Sequence, residues 1–478
     1  MKQQRRQFKF LAVLMFSLFL VLAFYGGYSV IQYGNRWFSS SRNPRVRSQK
    51  ENVMAGDILD RNGIILAYTD TEGERHYQAE EASRRAVVHV LGDRQGQVAN
   101  GVESFQTAYL YGFQSTFPEL VRSFLSGESR RGDDITLTLD SRLCTQMMLS
   151  FDAHEKTRGL RGAAVVMNYR TGELLGEISL PNFDPDRIDE AVYQNPGQPF
   201  WNRATQSIYP PGSTFKTITA AAALMNLPDI ENEQFTCTGE LPVDNGFIHD
   251  FGNARHGKLS FQNAYRVSCN QVFAQVALRM GDQELKKAAE KAGFNDNFLF
   301  RDLVVENSTY PADNRTEAEV AASGFGQSAV AATPLHMCMV AASVANGGVM
   351  MEPILLREVR STLGDLRYEA KTRVYTQAME AWQAEILDGY MRDVVVNGTG
   401  SRASVSGLTV CGKTGTADST QNGEPISYGW FIGYLREESL PYAVCVLVED
   451  VASGDGGGST AAPIAADIFA YLRDHDGK

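Results

Sequence analysis

The chain has 478 residues and a net charge of −11, and this length exceeds that of one average domain, so two or three domains are expected. The first 50 residues contain nine basic and no acidic residues, and the remainder carries 36 basic and 56 acidic residues, a net charge of −20. A body this acidic argues against a nucleic acid partner, because binding to phosphate needs basic patches.

An apolar segment near the N-terminus predicts a membrane-spanning helix. Residues 10–35 are uncharged, and residues 10–25 are almost wholly apolar. About 20 such residues cross the hydrocarbon core of a bilayer as a helix. A cleaved secretory signal is the alternative, but the apolar run is long and no clear A-x-A site follows it. We therefore assign residues 1–9 to a tail and residues 10–31 to an uncleaved anchor. Basic residues on both sides leave its orientation undecided.

A small domain is expected between the anchor and the main part of the chain. Two short apolar segments, residues 58–59 and 64–66, flank the dipeptide Asn62-Gly63. This dipeptide favours a type I′ hairpin turn. We assign residues 32–134 to a linker and this small N-terminal domain.

Residues 135–478 are predicted to form the main domain. Residues 135–139 alternate as in a strand, and Asp140 can cap a following helix. Further along, the patterns predict a hairpin around residues 170–172, antiparallel strands at 408–411, 429–434 and 442–448, and a last helix from about Ser459. The result is an α+β fold, in which helices cover both faces of an antiparallel sheet.

The segment around Ser213 is the first candidate for an active-site element. Residues 217–225 are apolar or small on every face, which is typical of a helix buried in a large domain. Ser213 at the start of this helix lies beside free backbone N–H groups, which can hold an oxyanion. Lys216 follows on the same face. The pKa of Lys216 must fall before its amine can take the serine proton. Burial and a nearby Lys413 can lower this pKa. An ordinary surface serine and lysine are the alternative.

Ser268-Cys269-Asn270 is the second candidate motif. Ser268 and Asn270 are expected to line the wall of a cleft opposite Ser213. Ser268 can instead, or in addition, cap a helix that starts at Asn270.

Lys413-Thr414-Gly415-Thr416 is the third motif, on a predicted edge strand. Gly415 has no side chain, so an extended peptide can approach the strand and add to the sheet. Lys413, Thr414 and Thr416 then face the terminal carboxylate of that peptide. A plain turn between strands is the alternative.

The three motifs occur in the order S-x-x-K, S-x-N, K-T-G, the set found in penicillin-binding proteins and serine β-lactamases. With flanking segments such as 209–213 and 430–433, the chain resembles class B penicillin-binding proteins over about residues 53–470. These are the monofunctional transpeptidases of peptidoglycan synthesis. Ser328, where the family often has glycine, is a small departure. The resemblance implies a small pedestal domain and a penicillin-binding transpeptidase domain of the serine β-lactamase type.

The resemblance also implies roles for individual residues. Ser213 would attack the D-Ala-D-Ala bond of a stem peptide, with Lys216 as its base. Ser268 would relay protons to the leaving amine, and Asn270 would hold Lys216 and the substrate backbone. The backbone amides of Ser213 and Thr416 would form the oxyanion hole. The candidate catalytic residues are thus Ser213, Lys216, Ser268, Asn270 and Lys413, and the candidate substrate-binding residues are Thr414, Gly415 and Thr416.

The predicted function is a peptidoglycan D,D-transpeptidase that β-lactams inhibit covalently. In a D,D-carboxypeptidase, the nearest rival, the nucleophile usually lies much closer to the N-terminus. A class A β-lactamase needs a deacylating glutamate in an E-x-x-L-N segment, and none follows Asn270. A β-lactam-binding sensor would have several membrane spans and a zinc protease part. A scaffold with a decayed site is disfavoured by the intact motifs.

The expected partners follow from the same resemblance. Between the anchor and residue 134 there is no room for a glycosyltransferase domain. A polytopic membrane glycosyltransferase of the shape, elongation, division and sporulation family would supply nascent strands, and would contact the anchor and residues 58–66. The tail would lie inside the cell and the catalytic body outside.

No metal or organic cofactor is predicted. The six cysteines contain no C-x-x-C pair, so zinc-site spacing is absent, and most are expected to be small buried hydrophobic residues. His249 and His256 are expected to be structural or to face solvent rather than to bind a ligand.

Overall fold

The structure is a computed structural model that describes residues 2–38, 50, 52–126, 129–311, 315–421 and 423–475. The helices, numbered in chain order, are α1 Lys2–Phe38, α2 Glu81–Ala86, α3 Val88–Leu91, α4 Val102–Phe105, α5 Thr107–Leu110, α6 Phe117–Ser126, α7 Ser141–Ala153, α8 Glu190–Tyr193, α9 Lys216–Asn226, α10 Phe261–Arg266, α11 Asn270–Met280, α12 Asp282–Lys291, α13 Glu317–Ser323, α14 Pro334–Ala345, α15 Ala381–Asn397 and α16 Ala461–His475.

The strands are β1 Ile58–Leu59, β2 Ile65–Thr69, β3 Arg75–Tyr77, β4 Asp134–Leu137, β5 Gly162–Asn168, β6 Leu174–Leu180, β7 Gln234–Cys237, β8 Glu240–Val243, β9 Gly246–His249, β10 Gly257–Ser260, β11 Val349–Met351, β12 Leu356–Arg360, β13 Leu366–Glu369, β14 Val374–Gln377, β15 Val410–Gln421, β16 Glu424–Leu435 and β17 Tyr442–Glu449.

Helix α1 contains the apolar segment that the sequence predicted to be a membrane anchor. An 18-residue segment within Arg6–Ser29 has a mean hydropathy of 2.3, and none of that segment is buried against the rest of the chain. Its length and composition suffice to cross a bilayer as a helix. An N-terminal helix of this kind fits a single-pass membrane anchor.

A six-stranded sheet lies in the N-terminal part of the molecule, with the strand order β13-β12-β4-β1-β2-β3. Strand β4 pairs in parallel with β1 on one side and antiparallel with β12 on the other. The sheet therefore combines strands from before residue 138 with two strands from after residue 355. No local pattern in the sequence predicted this long-range pairing.

The hairpin between β1 and β2 was predicted correctly, but its turn type was not. Gly63 has a φ of +79°, whereas Asn62 does not adopt positive φ. A type I′ turn needs positive φ at both positions. Instead, Asp60 Oδ1 accepts hydrogen bonds from the backbone N–H groups of Asn62 (2.8 Å) and Ile64 (2.9 Å). An aspartate that bonds to the backbone two residues later is a common turn former, and here it replaces the type I′ geometry.

Asp60 also ties this turn to the main domain, so we expect its replacement to destabilise the fold. Asp60 is fully buried, and its Oδ2 accepts from the backbone N–H (3.2 Å) and the hydroxyl (2.8 Å) of Ser141. Asp60→Ala should lower the free energy of unfolding by about 3 kcal/mol, because it leaves buried donors unpaired. Denaturant unfolding of the purified chain in detergent measures this.

Asp70 offers a matched control. It binds the N–H groups of Glu72 (2.9 Å) and Glu74 (2.8 Å) in an exposed turn. Asp70 also bonds to His76 Nε2 (2.7 Å), and Asp70→Ala should cost much less than Asp60→Ala, because water can replace these bonds. An equal loss of unfolding free energy in the two variants would contradict the role of Asp60 in joining the turn to the main domain.

The main sheet has five antiparallel strands in the order β15-β16-β17-β5-β6. Every residue of β17 is buried, so both faces of the sheet are covered. Helix α14 packs against β5, β16 and β17, while α7 packs on β6 and α16 on β16 and β17. The predicted α+β fold, with an antiparallel sheet covered by helices, is confirmed.

Several local predictions are confirmed as well. Asp140 is the N-cap of α7, and its side chain accepts from the N–H groups of Arg142 (2.9 Å) and Leu143 (3.3 Å). The six cysteines are all buried and none forms a disulfide.

Candidate active site

Ser213 lies on a short 3-10 turn, Gly212–Phe215, that leads directly into α9. This turn packs against strand β15. A Cβ atom on Gly415 would lie 3.0 Å from the carbonyl oxygen of Pro211 and 3.0 Å from Cγ2 of Thr214. The space that Gly415 leaves is therefore filled by the chain's own Ser213 turn. Gly415 also lines the cleft, and the approach of an extended peptide to this strand stays a prediction.

A second glycine, on the Ser213 turn itself, also allows close packing between this turn and β15. Gly212 has a φ of +53°, and a Cβ atom there would lie 2.4 Å from the carbonyl oxygen of Thr416. Only glycine fits this left-handed, tightly packed position at little cost. The backbones of Ser213 and Thr416 are thereby held next to each other.

The three motifs meet at one cleft with a volume of about 1020 Å³. Its lining includes the following predicted site residues: Ser213, Ser268, Asn270, Thr414, Gly415 and Thr416. The two remaining predicted residues, Lys216 and Lys413, are fully buried next to it. β15 is an edge strand of its sheet, as predicted, and carries the third motif near its middle.

The two buried lysines share Ser268 as a hydrogen-bond partner. Lys216 Nζ donates to the carbonyl oxygen of Ser268 (2.6 Å) and to Asn270 Oδ1 (2.8 Å), and lies 3.3 Å from Ser268 Oγ. Lys413 Nζ donates to Ser268 Oγ (2.8 Å) and to the carbonyl oxygen of Thr414 (2.9 Å). The Ser268 hydroxyl thus connects both amines, a geometry suited to moving a proton.

Burial changes the pKa of both amines. It lowers the pKa of Lys216 to about 8, and the Cys269 thiol and the Asp250 carboxylate oppose this shift. Burial, and then the neighbouring Lys216, lower the pKa of Lys413 well below its usual value. The sequence predicted that Lys413 would lower the pKa of Lys216. Burial is thus the main cause for both amines, and the pKa of Lys216 is lowered as the sequence predicted.

Ser268 adopts an unusual backbone conformation, with a φ of +61°. Left-handed geometry costs a residue with a side chain about 1 kcal/mol or more. Helix α11 begins at Asn270, but its N-cap is Cys269, whose Sγ accepts from the N–H of Val272 (3.5 Å). The prediction that Ser268 caps this helix is therefore wrong. Its hydroxyl faces the lysines instead.

The nucleophile candidate is free to react. Among the residues that the structure describes, Ser213 Oγ has no hydrogen-bond partner, and the residue is half-buried at the cleft. Catalytic hydrogen bonds often tighten only when substrate is bound, so the missing bond to Lys216 is compatible with a base at that position.

Comparison with known proteins identifies the family. Residues 162–470 match the penicillin binding protein transpeptidase domain. The chain belongs to this family. It is 29% identical over 464 residues to the peptidoglycan D,D-transpeptidase PbpA of Mycolicibacterium smegmatis, covering 91% of this chain and 92% of that protein. It is 30% identical over 444 residues to the stage V sporulation protein D of Bacillus subtilis, covering 86% of this chain and 65% of that protein.

A solved structure gives the same result. The ceftriaxone acyl-enzyme complex of penicillin-binding protein A from M. tuberculosis superimposes with a TM-score of 0.79 and 26% identity, covering 88% of this chain and 98% of that one. With relatives named as peptidoglycan D,D-transpeptidases, this makes the chain a class B penicillin-binding protein, as its motifs indicated.

The cleft of this penicillin-binding protein also contains residues that the motifs did not indicate. Gly457 donates its N–H to the carbonyl oxygen of Gly415 (3.1 Å), so the glycine loop after β17 folds against the third motif. Thr399 Oγ1 lies 2.5 Å from Thr414 Oγ1. The glycines of the loop were a visible signal, whereas Thr399 had none that points to the site.

Proposed function

We propose that this chain cross-links peptidoglycan as a D,D-transpeptidase, through an acyl-enzyme on Ser213, and that β-lactams acylate the same serine. One observation carries the proposal. An unpaired Ser213 hydroxyl opens into a cleft beside two buried lysines that share the Ser268 hydroxyl. The mycobacterial relatives named as peptidoglycan D,D-transpeptidases and the β-lactam acyl-enzyme structures support the same activity.

Acylation begins with Lys216 as general base. With a pKa of about 8, roughly a tenth of the amine is neutral at pH 7, against less than a thousandth for an ordinary lysine. The neutral amine takes the proton of Ser213 Oγ, and the oxygen attacks the carbonyl carbon of the penultimate D-alanine. The backbone N–H groups of Ser213 and Thr416 stabilise the oxyanion.

Collapse of this intermediate breaks the peptide bond and expels D-alanine. The proton held by Lys216 passes through Ser268 Oγ to the leaving amine. The amine of a neighbouring stem peptide then attacks the acyl carbon and gives up its proton along the reverse route. This restores Ser213 and leaves a new peptide bond between the two strands.

Lys413 acts within this relay rather than as a direct carboxylate ligand. It is fully buried, and its amine is bonded to Ser268 and Thr414. A neutral Lys413 can accept or donate a hydrogen bond to the Ser268 hydroxyl as the proton moves. Recognition of the terminal carboxylate falls to Thr414 and Thr416, which line the cleft.

The stability of the acyl-enzyme tests this function against a β-lactamase. No glutamate lines the cleft in the part of the chain that the structure describes. Without a deacylating glutamate, we expect a chromogenic cephalosporin to give a burst of about one equivalent, with little further hydrolysis over many minutes. Ser213→Ala should give no burst. Continuous hydrolysis of the cephalosporin within minutes would indicate a β-lactamase instead.

The catalytic body is proposed to lie outside the cytoplasmic membrane, with residues 1–9 inside. The apolar stretch of α1 supports a membrane attachment, and the family resemblance supports this orientation. A membrane-impermeant fluorescent penicillin should label spheroplasts that carry the protein. Labelling that occurs only after lysis would show that the catalytic body lies inside the membrane, the opposite orientation.

A polytopic membrane glycosyltransferase is the proposed source of nascent strands. Support comes from the exposed apolar side chains of α1 and from the small N-terminal domain around β1 and β2. Replacing residues 10–31 with an unrelated spanning helix should reduce co-purification of the polymerase at least about tenfold, because helix packing in a membrane depends on matched small and polar contacts. If co-purification of the polymerase and cross-linking both stay unchanged, the anchor only tethers the protein to the membrane.

A further inference from the structure

Helix α6, Phe117–Ser126, carries an apolar face that points away from the protein. Phe117 is 77% exposed, Phe124 86% and Leu125 77%, and Val121 on the same face is exposed as well. Positions 117, 121, 124 and 125 have the spacing of one helix face. None of these side chains belongs to the hydrophobic core in the part of the chain that the structure describes. Large apolar side chains that are grouped and exposed in this way mark an interaction surface.

The polar face of α6 is the one that packs against the protein. Glu119 accepts hydrogen bonds from the backbone N–H of Thr116 (2.6 Å) and from the guanidinium of Arg367 on β13. The Glu119 side chain is only 9% exposed. Ser123, one turn further on the same face, lines a cavity of about 540 Å³ together with Glu119. A surface helix usually turns its apolar face inward. In α6 this pattern is reversed, and the ion pair between Glu119 and Arg367 fixes the reversed orientation.

Both ends of the segment that contains α6 are attached to residues that closely follow the anchor. Before the helix, the ring centre of Tyr111 lies 5.2 Å from Lys50 Nζ. After the helix, the carbonyl oxygen of Arg130 accepts from the N–H of Met54 (2.8 Å), and the N–H of Gly132 donates to the carbonyl oxygen of Met54 (2.9 Å). Helix α6 therefore lies in the part of the body that the chain enters from α1.

The connection between the anchor and this part of the body is short and basic. Residues 39–49 join Phe38, the last residue of α1, to Lys50. Even a fully extended chain of this length spans only about 40 Å. The connection contains three arginines and no acidic residue, and basic segments next to a membrane are attracted to anionic lipid headgroups. Chain length and charge thus both favour a bilayer as the surface that α6 meets.

We propose that α6 is a second membrane contact of this protein, and that Phe117, Phe124 and Leu125 enter the headgroup region of the bilayer that α1 spans. An amphipathic helix in this position buries its apolar face by about 5–10 Å and keeps its polar face out of the lipid. The polar face of α6 is bonded to β13, so the contact holds the N-terminal domain on the membrane surface. The inference rests on membrane attachment through α1 and not on the proposed catalytic activity.

A spin label on the apolar face measures the position of α6 directly. The six native cysteines are buried, so a nitroxide reagent should label the folded Phe124→Cys variant at position 124 only. The labelled full chain is reconstituted in vesicles of phosphatidylethanolamine and phosphatidylglycerol. Power saturation then compares collisions with oxygen, which concentrates in lipid, and with a water-soluble nickel chelate. We expect collisions with oxygen to exceed those with the chelate at least about threefold, because the label lies in the membrane interface.

Val396→Cys is the matched control for the spin label. Val396 is an exposed apolar residue near the end of α15, in the transpeptidase domain. Its label should collide mainly with the nickel chelate, because α15 is not attached to the segment that follows the anchor. Both variants replace an exposed side chain, so both are expected to fold. Equal accessibility of the two labels to the chelate would overturn the proposal.

Cutting the chain behind the anchor tests whether α6 holds the body on lipid by itself. A protease site is inserted after residue 40, and the full chain is cut only after it has been reconstituted in the same vesicles. We expect the body to stay on the vesicles. The triple variant Phe117→Ser/Phe124→Ser/Leu125→Ser should lower the bound fraction at least about tenfold, because three apolar side chains are lost from the interface. Release of the unmodified body on cutting would contradict the contact.

A triple variant of the transpeptidase domain provides the control for the cutting experiment. Val374→Ser/Trp382→Ser/Val396→Ser also removes three exposed apolar side chains, and it should leave the bound fraction unchanged. An equal loss of binding in the two triple variants would overturn the proposal, because the retention would then not depend on α6.

Two other occupants of the apolar face would give different results. A label at position 124 that is open to the chelate in lipid vesicles but protected in native membranes would show that the face binds a membrane protein. Dipolar coupling between the labels of two chains, together with low accessibility to oxygen, would show that the face joins two copies of this chain. Either result would overturn the lipid contact.

Discussion

Replacing Ser213 with alanine is expected to abolish covalent labelling by penicillin and leave the fold intact. The change removes one hydroxyl that has no hydrogen-bond partner among the described residues, so the free energy of unfolding should change by less than about 0.5 kcal/mol. Without the hydroxyl, no acyl bond can form. Intact-mass spectrometry after incubation with penicillin measures the adduct, and the melting temperature monitors the fold.

Ser207 provides the control for this experiment. It lies on the same segment, outside the cleft, where its hydroxyl accepts from Trp201 Nε1 (2.7 Å). Ser207→Ala should be labelled as fully as the unmodified chain. Stoichiometric labelling of Ser213→Ala would show that another group is the nucleophile.

Replacing Lys216 with alanine should slow acylation by about 10²–10⁴-fold, the usual contribution of a general base. In the unmodified chain, the acylation rate should rise with pH through about 8 and level off above it, because only the neutral amine can take the serine proton. Stopped-flow measurement with a fluorescent penicillin between pH 6 and pH 9.5 follows both effects.

Lys287 is a suitable control because it lies exposed on α12, where it forms an ion pair with Glu284. Lys287→Ala should leave the rate and its pH dependence unchanged. A loss of less than about tenfold in Lys216→Ala, or a rate that does not vary with pH, would assign the base to another group.

The parts of the fold that depend on neighbouring residues could be predicted from the sequence. The cap at Asp140 and the buried helix after Ser213 follow from side chains within a few positions of one another. The sequence also placed the third motif on an edge strand, and β15 lies at the edge of the main sheet. The pairing of β4 with β12 joins segments more than 200 residues apart, and no local pattern specifies it.

The active site also has features that the sequence predicts and features that it does not. The order of the three motifs sufficed to predict that Ser213, Ser268 and Thr414 share a cleft. It did not predict the left-handed backbone of Ser268, the cap at Cys269, or the hydrogen bonds that join both lysines to Ser268. These depend on distances of a few ångströms between segments that only the folded chain brings together.

A cross-linking assay with nascent peptidoglycan tests the central claim most directly. The full chain is incubated with glycan strands that carry pentapeptide stems, and the digested products are analysed by mass spectrometry. We expect cross-linked dimers and one released D-alanine for each cross-link, and neither product with Ser213→Ala. Release of D-alanine with only tetrapeptide monomers would contradict the claim and make the protein a D,D-carboxypeptidase.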